Sequence, residues 1–406
     1  MFHTTALAML LPVLGAPTAT DVGAGVDMRD SVGLVPQQQG EAARLTNLLD
    51  LTALSGLLVK SQRTSFSLRY TPRLSFQEPN PVSLLRPLLL HQTFATVETA
   101  LSRRTTLTAG SQFSRGDVSY ANQGDVLDDG STVVNSPTSR IMRTRANASL
   151  SYAVSRTNTL GWSATGGHQT SVFKSGEDRA LGLPPSLDLT ASMQDSLQLT
   201  SLDGLSFTAS FSYLRRLSEE DKLSISTANA SVGWARQLSE NSQLVTNLGG
   251  SISSNSLTKQ ITLFPTATAQ HATSFAWLRT RWTQSSAVSL QGFVDPATAT
   301  FRPLANLTWS LTTDINDRWT IGPGLVFSTS ATREPLVPQA YESSGRLELP
   351  VSYRLPSHFS LDFGVRASTR NGHLTQLGSP RSQQDFRAFV GLRYVNGTGA
   401  SHGEWL

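Results

Sequence analysis

The sequence contains no cysteine. That excludes disulfide frameworks, thiolate metal sites and cysteine nucleophiles. Charge is sparse, at 15% of residues, and lysine sparser: only Lys60, Lys174, Lys222 and Lys259 among 33 basic residues, the rest arginine. No run approaches the roughly 18 apolar residues of a membrane-spanning helix. There is no HExxH, phosphate loop or dinucleotide fingerprint. The basic residues form no compact patch beside stacking aromatics, so nucleic acid is not an expected partner. No linker, charge block or change of pattern marks a boundary within the 406 residues, which argues for one large unit.

What the chain has is alternation. Hydrophobic residues make up only 38%, a proportion that in a featureless sequence suggests disorder. Here they recur with period two. Phe66, Leu68 and Tyr70 alternate with Ser67, Arg69 and Thr71. Leu347, Leu349, Val351 and Tyr353 alternate with Arg346, Glu348 and Arg354, and Phe359, Leu361, Phe363 and Val365 follow. Phe207 to Tyr213 and Phe386 to Tyr394 repeat the theme. The runs reach about 10 residues, enough for a tilted strand to cross a hydrocarbon layer. A strand apolar on one face and polar on the other is what a transmembrane barrel requires.

Short and long connections take turns. Short ones are expected near 60–63, 102–105, 155–158, 202–204, 237–242, 283–286, 313–318 and 356–358. Longer ones are expected near 78–88, 115–140, 174–187, 255–264, 332–344 and 371–385, with two exceptions near 217–222 and 294–298. Sixteen strands fit between residues 64 and 395, and two more near 22–33 and 45–59. The fold class is therefore all-β, an antiparallel transmembrane barrel of about 18 strands, with 16 as the next count. Leu45–Val59 also reads as an amphipathic helix; the short turn and clear strand after it favour a strand. Aromatics crowd the short turns: Tyr152 and Trp162, Trp309 and Trp319, Tyr353 and Phe359, with Trp234, Trp282 and Tyr394. Such rings collect at membrane–water interfaces. Ala146–Ser149 and Ala228–Ser231 share the string ANAS at similar places in two hairpins.

The apolar run Ala6–Ala16 precedes small residues at Ala16, Ala19 and Ala24, where a signal peptidase could cut. Residues 1–24 are expected to be a signal peptide, 25–395 the barrel and 396–406 a tail. The preceding MFHTT lacks the usual positive charge.

The closing segment Phe389–Val395, with Gly391 and Tyr394, resembles the terminal-strand signal of Gram-negative outer-membrane β-barrels, although about a dozen residues follow Tyr394. The resemblance spans nearly the whole chain and implies the cell outer membrane, with the bilayer and lipopolysaccharide as surroundings. Size and an arginine-bearing polar face make the chain similar, more loosely, to polysaccharide-export porins of the alginate-exporter type. That likeness implies periplasmic export partners and an anionic solute or polysaccharide as cargo.

If the apolar face meets lipid, the other lines the lumen. Alternation places Arg69, Arg73, Arg143, Arg145, Arg216, Arg302, Arg346, Arg354, Arg366, Arg370, Arg387 and Arg393 there. Only two acids, Glu348 and Asp362, share that phase, most others falling in loops such as 115–140. Fixed positive charge in a pore concentrates anions, and the arginine fork suits carboxylate or phosphate. Arg236, Arg279 and Arg281 lie where the phase slips. The expected function is an anion path, with exported polysaccharide or general anion diffusion as its uses, no cofactor, no metal and no catalysis. A structural or adhesive barrel acting through its loops is the other reading. Catalysis would need partners for His168 or His271 among the abundant hydroxyls.

Overall fold

The computed structural model describes residues 19–35, 44–78, 88–119, 138–171, 185–217, 223–256, 259–295, 300–316, 318–331, 341–356, 358–374 and 379–396. Nearly all of them are strand. In order these are β1 (Ala19–Val35), β2 (Arg44–Lys60), β3 (Thr64–Glu78), β4 (Leu88–Ala100), β5 (Thr105–Ser119) and β6 (Thr138–Ala153). Next come β7 (Asn158–Ser171), β8 (Ser186–Gln198), β9 (Asp203–Arg216), β10 (Ser224–Ser239), β11 (Ser242–Asn255), β12 (Ile261–Trp277) and β13 (Thr280–Asp295). The remainder are β14 (Thr300–Ile315), β15 (Trp319–Ile321), β16 (Gly324–Ala331), β17 (Tyr341–Arg354), β18 (Phe359–Leu374) and β19 (Ser379–Asn396).

Every pairing is antiparallel, and β1 pairs with both β2 and β19, so the sheet closes on itself. β15 and β16 are one stave. Both pair with β14 and with β17 in a single unbroken register. The ladder is interrupted only at Gly322 and Pro323, where proline has no N–H to give; Gly322 N still donates to Pro350 O at 3.1 Å and Leu311 N to Pro323 O at 2.9 Å. The barrel thus has 18 staves, an even number that returns the chain to the end where it began: Ala24 pairs with Asn396 and Ala19 with Lys60.

The apolar phase is the outer one. Val26 and Met28, Phe207 and Phe211, Leu347 and Leu349, and Phe386 and Val390 are all exposed, each on the face opposite its strand's polar residues. Ile261 and Leu263 are about 70% exposed, a cost no water-facing wall would carry. Lipid removes it. The large side chains that a soluble core would bury are outside, and the inside is polar. No described helix is long and apolar enough to cross a membrane; the crossing is made by strands. Most exceed the 9–11 residues a tilted strand needs, so the staves stand proud of the bilayer.

The short-turn end carries the aromatic girdle. The rings of Trp319 and Tyr353 lie 4.5 Å apart, Phe359 and Tyr394 4.7 Å, and Trp277 and Trp282 5.5 Å. Amphipathic rings at this level fix the barrel's height in the membrane.

Several connections depart from expectation. Residues 283–286 are inside β13; the turn is at Leu278 and Arg279, with φ of 50° and 63°. Two consecutive positive φ values make a tight hairpin turn usually written with Asn and Gly, so Leu-Arg gives no sequence signal. The connections expected at 371–385 and 255–264 are shorter, because β18 runs to Leu374, β19 starts at Ser379, and β11 and β12 leave only 256–260 between them. Residues 45–59 are strand. β1 starts at Ala19, so cleavage after Ala16 would leave it whole and cleavage after Ala24 would shorten it. Residues 1–18 and 397–406 lie outside the described residues.

Candidate functional site: an asymmetric lumen wall

Register assigns each arginine a face. In β3 the inward residues include Ser67, Arg69, Thr71, Arg73 and Ser75, opposite an inward Asp50 and Thr52 of β2. Carried round the ring pair by pair, the same rule gives the backbone positions of all twelve arginines expected from alternation the inward phase. Arg143 and Arg145 stand on β6 and Arg216 on β9. Arg346 and Arg354 stand on β17, Arg366 on β18, and Arg387 and Arg393 on β19. For Arg302 and Arg370 the register position on β14 and β18 is what is described. Arg281 also takes the inward phase, whereas Arg236 is outward, 5.9 Å over the Trp234 ring and 3.8 Å from Asp203.

The expectation of only two inward acids is corrected. Asp21, Asp27, Asp50, Glu98, Asp188 and Asp314 share the inward face with Glu348 and Asp362. On β2 the phase is masked in the sequence, because Leu54 and Leu58 point inward beside Leu49, Leu51 and Leu57 outward, so Asp50 could not be assigned a side. β1 keeps Val22, Val26, Met28 and Val32 on the outward face, and that alternation puts Asp27 and Arg29 inward.

These charges are concentrated on one arc, β17 to β19 and on through β1 to β3. Three rows cross it. In the first, Glu348 pairs across to Arg366, which pairs across to Arg387. Glu348 Oε1 is 2.5 Å from Arg366 Nε and 3.3 Å from Arg346 Nε, one carboxylate between two guanidiniums. In the second, Asp362, Gly391, Arg29, Asp50 and Ser75 follow each other round the wall. In the third, Arg393 faces Asp27, and Thr52 faces Arg73.

The rows are tied together. Arg393 Nη2 lies 3.6 Å from Asp27 and 3.8 Å from Asp362, linking the first, last and next-to-last staves across the closure. Arg73 grips Asp50 through two hydrogen bonds of 3.1 and 2.8 Å, while Ser75 Oγ donates to the same carboxylate. Ser352 Oγ likewise donates to Asp362. Two arginines lie over rings: Arg69 4.4 Å from the Phe94 centroid and Arg29 5.1 Å from that of Phe389. Phe389 has its place because the facing residue is Gly364; a Cβ there would come within 2.5 Å of the ring. Among the described side chains of this arc, Arg29, Lys60, Arg69, Arg73, Arg346, Arg354, Arg366, Arg387 and Arg393 face Asp21, Asp27, Asp50, Glu348 and Asp362, an excess of four positive charges (nine minus five).

The opposite arc is neutral. β10, β11 and β12, nine staves from β1, β2 and β3, place no charged residue inward. They present Thr227, Asn229, Ser231, Asn247, Ser251, Ser253, Thr266 and Thr268, with apolar exceptions such as Ile225. Their polar groups bond to each other: Asn247 Nδ2 to Thr268 Oγ1 at 2.9 Å, Asn229 Nδ2 to Ser210 Oγ at 3.2 Å, Thr227 Oγ1 to Ser253 Oγ at 3.2 Å. A recess of about 410 Å³ on this side is lined by Gln194, Thr208, Asn229, Asn247, Thr268 and Gln291 among others. A smaller charged group, with Arg145 Nη2 3.8 Å from Asp188, sits between the arcs on β6 and β8.

His168 and His271 are both on the outer face. Ser242 Oγ is 3.0 Å from His271 Nε2, but the cross-strand neighbours of His271 are Leu244 and Ser286, and among the described residues no carboxylate orients the ring. No group of three metal-ligating side chains occurs among the described residues. The 115–140 loop falls largely at 120–137, outside the described residues.

A closed antiparallel barrel of 18 staves, apolar outside, polar inside and girdled by aromatics, defines an outer-membrane β-barrel. No protein-family model and no curated protein sequence matches the chain. Solved structures do match in fold. The FrpB iron transporter from Neisseria meningitidis superimposes with a TM-score of 0.51 at 8% identity, over 95% of this chain and 83% of that one. The siderophore receptor PirA from Pseudomonas aeruginosa gives 0.50 at 10% identity, over 94% and 81%. OpdQ from Pseudomonas aeruginosa gives 0.49 at 9% identity, over 93% and 98%. At these identities the likeness is one of architecture.

Proposed function

We propose that the protein is an outer-membrane pore whose lumen passes anionic solutes along the arginine-rich arc. The observation that carries this reading is the excess of fixed positive charge on β17–β19 and β1–β3, set in a wall whose other side is neutral. Such a surface raises the local concentration of anions and repels cations. Glu348, Asp362, Asp27 and Asp50 hold the guanidiniums against the wall, so the charge lines the path without filling it. None of the described residues folds into the lumen as a plug. The reading needs no cofactor and assigns no catalytic residue.

Within it, a polymer is the cargo that uses both arcs. A polysaccharide with carboxylates would meet arginines on one side, while its hydroxyls meet Ser, Thr and Asn on the other. Export of such a polymer, driven from the periplasm by partner proteins, is the finer form of the proposal; diffusion of small anions is the simpler form. Planar-bilayer recording separates them. Both forms predict an open, anion-preferring conductance. The export form further predicts reversible block by a soluble polyuronate and none by neutral dextran of equal size. A folded barrel that conducts nothing would contradict both and leave the loops as the working surface.

A further inference from the structure

On the outer wall, β6 to β9 break the apolar belt with a groove of about 610 Å³. Its floor is made of small residues in contact across the strands: Ala146 opposite Gly166, and Ala148 and Ala191 on either side of Ala164. Leu189, Phe211 and Tyr213 form its wall, with Leu189 and Phe211 about half exposed. Gly166 is small for a reason, since a Cβ there would meet Leu189 at 3.1 Å. All of these side chains are on the lipid-facing phase.

Above the groove, toward the long-loop end, the same face carries charge. Arg215 follows Tyr213 by two residues on β9, and Arg115, opposite Met142, follows Phe113 by two on β5. Both are exposed, and neither makes an ion pair among the described residues. An arginine at the rim of a hydrocarbon belt is stabilised by an anion in its shell, and phosphate matches its fork. β5 and β9 stand four strand spacings apart, about 19 Å, which two extended side chains narrow toward the width of one sugar headgroup.

We propose that this face binds one molecule of a phosphorylated, multi-acylated sugar lipid of the outer leaflet, of lipid A chemistry. The headgroup phosphates sit on Arg115 and Arg215, and an acyl chain lies in the Ala146–Tyr213 groove. The arginines supply the selectivity. A chain already in the bilayer gains little from the hydrophobic effect on entering the groove, so the groove sets the fit through packing. The site is outside the wall and stands or falls independently of the pore reading.

The test is native mass spectrometry of the full chain refolded in detergent, titrated with purified bisphosphorylated lipid A. A single bound lipid is expected, with affinity about ten-fold lower in the Arg115→Ser/Arg215→Ser double variant, as loss of two charge-assisted contacts implies. Filling the groove with Ala164→Leu and Ala191→Leu should weaken binding by about three-fold or more. Lipid A stripped of phosphate and phosphatidylglycerol should both bind more weakly than the intact lipid. Heat-modifiable gel mobility confirms that each variant is folded; the arginine pair, being exposed, carries the test if the groove variant is not. Unchanged affinity in the double arginine variant overturns the proposal, as does phosphatidylglycerol binding equally well or inorganic phosphate alone displacing the lipid.

Discussion

The two sides of the lumen are built from the same strands and do different work. On β17–β3 the inward residues are long, charged and knotted into pairs that span two or three staves. On β10–β12 they are short and neutral, and Thr227, Asn229 and Asn247 bond to the next strand. The charged side includes the closure between β1 and β19, where no covalent turn joins the staves. Its cross-strand ion pairs therefore serve the wall as well as the path. The neutral side is joined by consecutive hairpins and has no such demand.

That contrast can be broken by matched substitutions. The largest effect is expected from Arg393→Ser. It leaves Asp27 and Asp362, on either side of β19, without their shared cation, and Asp362 is only 11% exposed in its side chain. Loss of one member of a largely buried charge cluster costs about 3 kcal/mol, read as a lower urea midpoint of the heat-modifiable band. Gly364→Val comes next: the new side chain displaces Phe389, and with it the seat of Arg29. Overpacking of this kind costs about 2 kcal/mol. On the neutral arc, Asn247→Ala removes one hydrogen bond to Thr268 in a water-filled lumen and should cost about 1 kcal/mol or less. If the Asn247 and Arg393 variants lose equal stability, the arcs do not differ in the way described. The smallest effect on stability, and an informative one on transport, belongs to Asn247→Arg. It should lower the unfolding midpoint no further than Asn247→Ala does, because the guanidinium can donate to Thr268 in place of the lost amide, while raising anion preference by giving the neutral side a charge.

Much of this was written into the alternation. The 18 staves, the inward phase of the arginines and the girdle at the short turns follow from period two and the spacing of turns, because a wall between lipid and water enforces that pattern at each strand. What alternation could not supply was the clustering. Arg366 and Arg387 are 21 positions apart in sequence and face each other; Asp27 and Arg393 sit at opposite ends of the chain. Only closure brings them together. The inward Asp50 was not legible because β2 carries leucines on both of its faces, which leaves no phase to read. The turn at Leu278 and Arg279 was missed because its backbone, not its residues, makes it a turn.

The central claim is that charge on one arc decides what passes. Reversal potential across a planar bilayer under a potassium chloride gradient tests it directly. The wild-type barrel should prefer chloride. Replacing Arg69, Arg73 and Arg366 by Ser should largely remove that preference, since the arc then carries six positive charges against five negative ones and Asp50 loses its Arg73 partner, while replacing Asn229 and Asn247 by Ser should leave it unchanged. A wild-type barrel without anion preference, or one whose preference survives loss of the three arginines, would contradict it.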